Sequence, residues 1–284
     1  MIEARPSATA QRVAMRRAAH QLIDIPKVFE DPLALRILGE NAAADLRSSS
    51  EKLQDSALRS LRAFLVARSR FAEDELARAV ERGAAQYVIL GAGLDTFAYR
   101  NPYPQDTLRV LEVDYPATQA WKQRLLAEAG IAIPSSLTYA PVNFEHQTLA
   151  DGLAQTRFDS QKRTFFSWLG VTPYLTRAAI TSTFAYIAST PPDGGVVFDY
   201  AVPRSSLNLV GRLAFDAIAR RVASAGEPFQ TFFDPQELAA ELHRTGFRHV
   251  EDLDAAEINA RYFKGRADGL KVRGSLGHLA SARV

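Results

Sequence analysis

The chain has 284 residues, of which 47% are hydrophobic and 23% are charged, and its formal net charge is +2. This composition is typical of a globular protein with a sizeable core, and the weak charge gives no indication of a nucleic-acid partner. The absence of cysteine excludes disulfides, a cysteine nucleophile and thiolate-bound metal centres.

The sequence contains no run of about eighteen apolar residues, the length that a membrane-spanning helix needs. Its first thirty residues lack the continuous apolar region of a secretory signal. We therefore expect no membrane association and a cytoplasmic location. Nothing in the pattern predicts an oligomeric state.

The first 83 residues predict helices and no strands. Candidate helices cover Ala8 to Leu22, Pro32 to Leu38 and a longer region from Glu51 to Glu81. Apolar residues in the longer region recur at spacings near three and four, which indicates one buried face. We predict a helical lid over residues 1–83 and a sheet domain over residues 84–284.

After Gly83, short apolar strands alternate with helices. The predicted strands are Tyr87 to Leu90, Leu108 to Val113, Leu137 to Val142, Thr164 to Leu169 and Val196 to Tyr200. The predicted helices between them are Asp95 to Tyr99, Ala117 to Ala129, Leu149 to Gln155 and Arg177 to Ser189. This alternation predicts an α/β fold with a mostly parallel sheet and helices on both faces.

The last third departs from simple alternation. Ser205 to Ala225 predicts an amphipathic helix, and Asp234 begins another helix that ends at Gly246. The strings FRHVEDLD and INARYF then predict two strands that form a closing hairpin. Such a hairpin gives the sheet an antiparallel edge.

A glycine turn follows the first predicted strand, in the string QYVILGAGLDTFAYR that begins at Gln86. Gly91 and Gly93 permit a tight turn and a close approach to a ligand. A dinucleotide fingerprint has a third glycine where Thr96 lies here, and the carboxylate of Asp95 would repel a pyrophosphate. The turn therefore favours a ligand without phosphates, or with a positive centre. A plain turn and a helix-capping role for Asp95 are the alternatives.

Asp114 ends the second predicted strand, about twenty residues after Gly93, which is the spacing of an acid that binds ribose hydroxyls. A nucleoside without a diphosphate is therefore expected, and S-adenosylmethionine meets both conditions. Asp114 could instead cap the helix that follows Pro116. The alternative functions are an NAD-type oxidoreductase, which Asp95 disfavours, and a non-catalytic cofactor-binding scaffold.

Four strings in the chain resemble a known family. EDPLALRILG, VILGAGLDTFAYR, VLEVDYPATQAWKQRLL and RTFFSWLGVTPYLT are similar to motifs of the leucine carboxyl methyltransferase family. The likeness is strongest to its bacterial branch of S-adenosylmethionine-dependent O-methyltransferases and extends from Thr9 to Phe263. The resemblance implies a class I methyltransferase (Rossmann-like) sheet, an N-terminal helical lid and methyl transfer to a carboxylate or hydroxyl oxygen of a small-molecule acceptor.

The resemblance also assigns roles in cofactor binding. It implies that Arg68, or its neighbour Arg70, pairs with the carboxylate of S-adenosylmethionine and that Asp114 holds the ribose. The cofactor-binding residues expected on this basis are Arg68, Gly91, Gly93, Asp95, Asp114, Asn143, Phe144 and Ser167. Two positions depart from the family pattern. Asn143 lies where an aspartate is more common, and Leu169 lies where eukaryotic relatives carry a glutamate.

Two residues are expected on the acceptor side. Tyr174 follows the fourth predicted strand at the ligand-binding edge of the sheet, and His20 lies on the predicted lid. A carboxylate acceptor needs no base, whereas a hydroxyl acceptor does. Neither His20 nor His146 has a partner at a suggestive spacing, so the sequence assigns no catalytic base and no metal site.

Overall fold

The computed structural model describes residues 7–48, 55–144, 147–224 and 226–284. The helices are α1 (Ala8–Ile23), α2 (Glu40–Ser48), α3 (Ser56–Glu81), α4 (Pro116–Glu128), α5 (Leu149–Ala154), α6 (Arg177–Ala188), α7 (Leu209–Ser224), α8 (Pro235–Thr245) and α9 (Ala255–Tyr262). The strands are β1 (Gln86–Leu90), β2 (Arg109–Asp114), β3 (Leu137–Pro141), β4 (Thr164–Trp168), β5 (Gly195–Ala201), β6 (His249–Leu253) and β7 (Gly277–Arg283).

The strands of the described residues form one sheet in the order β3-β2-β1-β4-β5-β7-β6. β1 to β5 pair in parallel, whereas β7 is antiparallel to both β5 and β6. The chain reverses its direction of travel across the sheet between β1 and β4. Ligands of open α/β sheets bind at such a switch point, outside the carboxyl ends of the strands.

Both faces of the sheet are covered. Alternate residues of β1 enter separate cores, with Tyr87 and Ile89 on one face and Val88 and Leu90 on the other. The first core also contains Phe71 and Leu76 of α3 and Ile258 of α9, and the second contains residues of α5, α6 and α8. The predicted α/β fold with helices on both faces is confirmed.

The long helix α3 belongs to the packing of the sheet as well as to the predicted lid. Its residues Ala63, Val66, Phe71, Ala72 and Leu76 are buried in the core cluster that also holds strand residues of the sheet. Helix α1 lies on α3 and reaches the glycine turn. The division at residue 83 stays a prediction, and α3 supports the sheet from the N-terminal side of that boundary.

The predicted antiparallel edge exists, but one of its predicted strands is wrong. INARYF belongs to helix α9, because the Asp254 carboxylate accepts hydrogen bonds from the N–H groups of Ala256 and Glu257, and the Glu257 carboxylate accepts one from the N–H of Asp254. This capping box begins a helix whose Ile258 is buried. The partner of β6 is β7, near the end of the chain, which the sequence pattern did not indicate.

Three helix predictions in the described residues also change. The Asp95 to Tyr99 segment is a single 3-10 turn at Phe97–Tyr99, and the Pro32 to Leu38 segment has one at Arg36–Leu38, followed by α2. Helix α7 begins four residues later than predicted, and the predicted Ala225 end lies outside the described residues. In the residues that the structure describes, no helix combines the length and apolar character that a membrane span requires.

Candidate active site

A cavity opens at the carboxyl ends of β1, β2, β3 and β4, beneath helix α1. Its lining residues come from α1 (Thr9, Ala10, Val13, Ala14, Arg17), from α3 (Arg68, Ser69), from the turn at residues 89–95, from the ends of β2 and β3 (Asp114, Tyr115, Val142, Asn143, Phe144), from the segment after β4 (Leu169, Gly170, Val171, Tyr174, Leu175) and from the segment after α7 (Gly226, Glu227, Pro228, Gln230).

The glycine turn forms one wall of this cavity. Gly91 and Gly93 have φ angles of +66° and +46°, which L side chains rarely adopt. A Cβ atom on Gly91 would lie 2.3 Å from Cγ2 of Val171, and one on Gly93 would lie 3.1 Å from Cβ of Ala10. The two glycines therefore permit the turn itself and also the close approach of the two segments that enclose it.

Asp114 lies at the end of β2 with its carboxylate at the cavity. One oxygen accepts the N–H of Gly93 at 2.5 Å, and the other accepts the N–H of Tyr115 at 2.6 Å. Burial raises the pKa of Asp114, and these two N–H groups oppose that rise. Each oxygen has a second lone pair, so the carboxylate can still accept two hydroxyl groups from a ligand.

Arg68 reaches the cavity from α3 and is held by a buried ion pair. Its Nη1 atom lies 2.9 Å from Oδ2 of Asp199 on β5, and both side chains are less than a tenth exposed. Oδ1 of Asp199 accepts the N–H of Gly170 at 2.5 Å. Because a guanidinium carries five N–H donors, Arg68 keeps donors for a ligand carboxylate. Arg70, the alternative from the resemblance, does not line the cavity and pairs with Asp74.

The opposite end of the cavity is less polar. Val142 and Phe144 contribute apolar surface there, beside Asn143 at the end of β3. The N–H of Asn143 donates to Oε1 of Gln147 at 3.1 Å. An aromatic ring and an amide side by side suit a flat, polar-edged base such as adenine.

Asp95 lines the cavity and also caps the turn that follows it. Its Oδ1 accepts the N–H of Phe97 at 2.7 Å. The two roles that the sequence allowed for this carboxylate are therefore compatible.

Two predicted site residues do not reach the cavity. Ser167 lies within β4, fully buried, and its Oγ accepts the hydroxyl of Tyr87 at 2.8 Å. His20 is also buried, with Nδ1 2.8 Å from Oδ2 of Asp24 and with Nε2 facing the N–H groups of Val28 and Phe29. Both ring nitrogens of His20 have structural partners, so it is unsuited to bind an acceptor or take its proton. His146 lies outside the described residues.

The sequence reasoning missed a buried network that fixes α1 to the glycine turn. Arg17 of α1 donates to the carbonyl of Leu94 at 2.5 Å and lies 2.7 Å from Oδ2 of Asp31. The hydroxyl of Thr96 donates to the same carboxylate oxygen at 2.7 Å. Asp31 comes from the EDP string, and Thr96 occupies the position of the missing third glycine. The sequence held only a weak signal for this network, because Arg17 is one of three arginines in α1.

Tyr174 and Glu227 also line the cavity, from the segments after β4 and after α7. Burial raises the pKa of Tyr174 to about 12, so its hydroxyl stays protonated at neutral pH and acts as a hydrogen-bond donor. Glu227 follows α7, and its Oε2 accepts the N–H of Thr9 at 3.3 Å, in the first turn of α1. A carboxylate at that position is favoured by the helix dipole. Asp199 and Glu227 were not predicted, although Asp199 is the single acid in an apolar strand.

The side chains present fit S-adenosylmethionine. The cavity places an acid for the ribose hydroxyls, a guanidinium for the methionine carboxylate and an apolar, aromatic end for adenine on one contiguous surface. A pyrophosphate would face the carboxylates of Asp95 and Asp114 at the glycine turn. The donor set therefore agrees with a sulfonium nucleoside and disagrees with a dinucleotide.

Comparisons with known proteins agree with this fit. The family model for leucine carboxyl methyltransferase matches residues 10–188. The chain is 33% identical over 290 residues to a protein of Bacillus subtilis (strain 168) named "Putative S-adenosyl-L-methionine-dependent methyltransferase YktD", with 93% of each chain covered. A relative of the same description from Mycobacterium ulcerans (strain Agy99) is 32% identical over 213 residues, covering 67% of this chain and 64% of the relative.

Solved structures support the fold. A crystal structure of a "putative methyltransferase" from Thermobifida fusca YX aligns with a TM-score of 0.57 at 15% identity, covering 99% of this chain and 96% of the other. A DUF574 family protein from Streptomyces avermitilis MA-4680 aligns with a TM-score of 0.58 at 15% identity, covering 100% and 99% of the two chains. Together with the sheet order, these likenesses identify a class I methyltransferase fold. The chain belongs to the leucine carboxyl methyltransferase family, and it is an S-adenosylmethionine-dependent methyltransferase.

Proposed function

We propose that this methyltransferase transfers the methyl group to an oxygen of a small-molecule acceptor, either a carboxylate or a hydroxyl. The observation that carries the proposal is the roofed cavity. Helix α1 covers it, and the wall beyond the expected cofactor residues is formed by Tyr174, Leu175 and Glu227. A space enclosed in this way suits a small acceptor better than a protein surface.

The choice of oxygen rests on the family and on the side chains near the acceptor. The matching family takes its name from the methylation of a carboxyl group. No histidine lines the cavity among the described residues, and the pKa of Tyr174 lies well above neutrality. A carboxylate is already a nucleophile at neutral pH, so it reacts in such a site without a general base.

The geometry of the site supports an assignment of the residues that would bind the cofactor. We assign the ribose to Asp114, the methionine carboxylate to Arg68, the methionine chain to the turn at Gly91 and Gly93, and adenine to Asn143 and Phe144. Asp95 completes the turn and Tyr174 faces the acceptor.

When bound, the sulfonium of the cofactor supplies an electrophilic methyl group. The protein holds the two reactants in line and keeps water out, since Arg17 and Glu227 anchor α1 over the strand ends. Well-oriented reactants gain up to roughly 7–11 kcal/mol of effective molarity. We propose that the predicted lid acts mainly through α1, with α3 as its base on the sheet.

The test is a screen with S-adenosylmethionine carrying a labelled methyl group and with acceptors in matched pairs, such as benzoate with phenol. Treatment of the products with base separates the two chemistries, because a methyl ester releases labelled methanol and an aryl methyl ether does not. S-adenosylhomocysteine formation that tracks the label confirms transfer. Label on nitrogen or sulfur acceptors would contradict the proposal.

The NAD alternative has lost its support, because the family uses S-adenosylmethionine. The non-catalytic scaffold makes a different prediction from the proposed enzyme. It would bind S-adenosylmethionine yet form no S-adenosylhomocysteine with any acceptor pair.

A further inference from the structure

The charges around the cavity are not balanced. Its two lining arginines, Arg17 and Arg68, are each paired with an acid that lies behind the wall, Asp31 and Asp199. The lining carboxylates have no such direct partner, although the charges of Lys122 and Arg100 act from a distance on Asp114 and Asp95. Within the described part of the chain, no arginine, lysine or histidine forms an ion pair with Asp95, Asp114 or Glu227. The cavity therefore attracts a cation.

Of these three carboxylates, Glu227 is the least constrained by the chain. Asp114 accepts two backbone N–H groups and Asp95 caps its own turn, whereas the hydrogen bond of Glu227 is a single, longer one of 3.3 Å from Thr9. Glu227 also belongs to the segment after α7, which lines the cavity together with α1 and not with the strand ends.

The charge of Glu227 acts on Asp114, which we assign to the ribose, and on Tyr174, which we assign to the acceptor side. Burial is the largest cause of the raised pKa of Asp114 and of Tyr174, and the charge of Glu227 adds to the rise at both. The sulfur of S-adenosylmethionine is bonded to the ribose carbon C5′. A ligand whose ribose meets Asp114 therefore carries its positive sulfur close to Asp114, a group on which the charge of Glu227 also acts.

We propose that Glu227 is a specificity-determining residue that selects the cationic cofactor over its neutral product. Its carboxylate attracts the sulfonium of S-adenosylmethionine and has no charge to attract in the thioether of S-adenosylhomocysteine. Loss of the charge at methyl transfer weakens the hold on the product and favours its release. The inference does not depend on which oxygen accepts the methyl group.

Calorimetry on Glu227→Gln tests the proposal with three ligands: S-adenosylmethionine, S-adenosylhomocysteine and sinefungin, in which an amine-bearing carbon replaces the sulfonium. Glutamine keeps a carbonyl oxygen for the N–H of Thr9, so only the charge is lost. One charge interaction over a distance below about 12 Å at an effective dielectric constant of about 20 predicts that both cationic ligands bind at least about tenfold more weakly. The neutral product should bind within about twofold of the wild-type affinity.

Asp106→Asn is the matched control, because Asp106 is exposed before β2 and its loss changes the net charge by the same amount. It should leave all three affinities unchanged. An equal loss for all three ligands in Glu227→Gln would assign the residue to holding α1, and an unchanged affinity for S-adenosylmethionine would also overturn the proposal.

If thermal melting shows that Glu227→Gln does not fold, two other measurements decide. Glu227→Asp retains the charge and should retain the preference for cationic ligands. The wild-type protein should bind sinefungin more tightly than S-adenosylhomocysteine, and equal affinities would overturn the proposal without any variant.

Discussion

The cavity has two halves that the chain builds in different ways. The floor consists of the ends of parallel strands and the turns that follow them, with Asp114 and the glycine turn held by backbone hydrogen bonds of β1 and β2. The roof is helix α1 with the segment after α7, joined by a hydrogen bond between residues 218 positions apart, Thr9 and Glu227. The floor is held by hydrogen bonds between neighbouring strands and their turns. The roof brings together segments that are far apart in the chain.

This difference separates two kinds of function. A floor that is fixed by the sheet can bind the cofactor, which is the same reactant whatever the acceptor is. The roof is joined to the segment after α7 by a long hydrogen bond of 3.3 Å, so we expect it to open there to admit ligands, since elements that move belong to the less stable parts of a fold. Damage to the floor should therefore weaken cofactor binding, whereas damage to the roof should affect closure and the acceptor.

Arg68→Ala should have the largest effect, because Arg68 joins α3 to the floor. Removal of one partner leaves Asp199 as an uncompensated buried charge, which should lower the free energy of unfolding by about 3 kcal/mol. Affinity for S-adenosylmethionine should fall at least about tenfold with the loss of a charge-assisted hydrogen bond. Chemical denaturation and calorimetry measure the two effects. Arg70→Ala is the control, and an unchanged cofactor affinity in Arg68→Ala would refute the role of Arg68.

Asp114→Ala should break the floor without involving the roof. Loss of the charged acceptor for the ribose hydroxyls should weaken cofactor binding by about 2–3 kcal/mol, since a hydrogen bond to a charged group contributes about 1.5–3 kcal/mol. Asp114→Asn keeps one oxygen acceptor and should lose less. Calorimetry with S-adenosylmethionine checks the order, and similar affinities in both variants and the wild type would show that Asp114 only shapes the turn.

Acid should destabilise the roof side first through Asp24, which follows α1. Burial alone would raise its pKa, but hydrogen bonds from His20 and Arg62 outweigh burial and lower the pKa from 3.8 to about 2. Because the folded pKa is depressed, the stabilisation is complete above pH 4 and is lost as the pH falls towards 2.

The contribution of Asp24 is about 2 kcal/mol from linkage. Unfolding free energies measured between pH 5 and pH 2 should fall less steeply in Asp24→Asn, which is already less stable at pH 5. Parallel curves for the two proteins would contradict this origin of the acid sensitivity.

Gly93→Ala tests the contact between floor and roof. The φ of +46° should cost about 1–2 kcal/mol for an alanine, and the added Cβ would press on Ala10 at 3.1 Å. The double variant Gly93→Ala with Ala10→Gly removes the contact and keeps the backbone cost. Recovery of part of the stability in the double variant would measure how tightly α1 sits on the turn, and no recovery would mean that α1 moves away freely.

Tyr174→Phe should have the smallest effect on cofactor binding, because we assign Tyr174 to the acceptor side. We expect its affinity for S-adenosylmethionine to stay within about twofold, which corresponds to less than about 0.5 kcal/mol. Turnover with an accepted substrate should fall, since the hydroxyl is a donor at neutral pH. A loss of cofactor affinity as large as in Asp114→Ala would place Tyr174 in the floor.

Much of the floor could be predicted from the sequence. The strand of apolar residues before Gly91, the two glycines and the acid at Asp114 are local signals with a fixed spacing, and the structure places them on one wall. Ser167 was a wrong extension of the same pattern, because residues of a strand alternate between faces and its side chain enters the core beside Tyr87.

The roof could not be predicted to the same extent. His20 sits on the predicted lid, yet its ring completes a buried structural network with Asp24. Arg17, Asp31 and Glu227 matter through partners far away in the chain, and no local pattern reports such pairs. The same reason explains the two differences from expectation at the antiparallel edge. A capping box made INARYF a helix, and pairing with β5 and β6 made the segment Gly277–Arg283 a strand.

The sequence by itself determined the fold class, the family and the cofactor, because hydrophobic periodicity and short motifs act over a few residues and recur in a fixed order. Only the tertiary structure decided which charges face the cavity and which are neutralised behind its wall. That distribution depends on contacts between segments far apart in the chain, and it is the physical basis for selecting a cationic ligand.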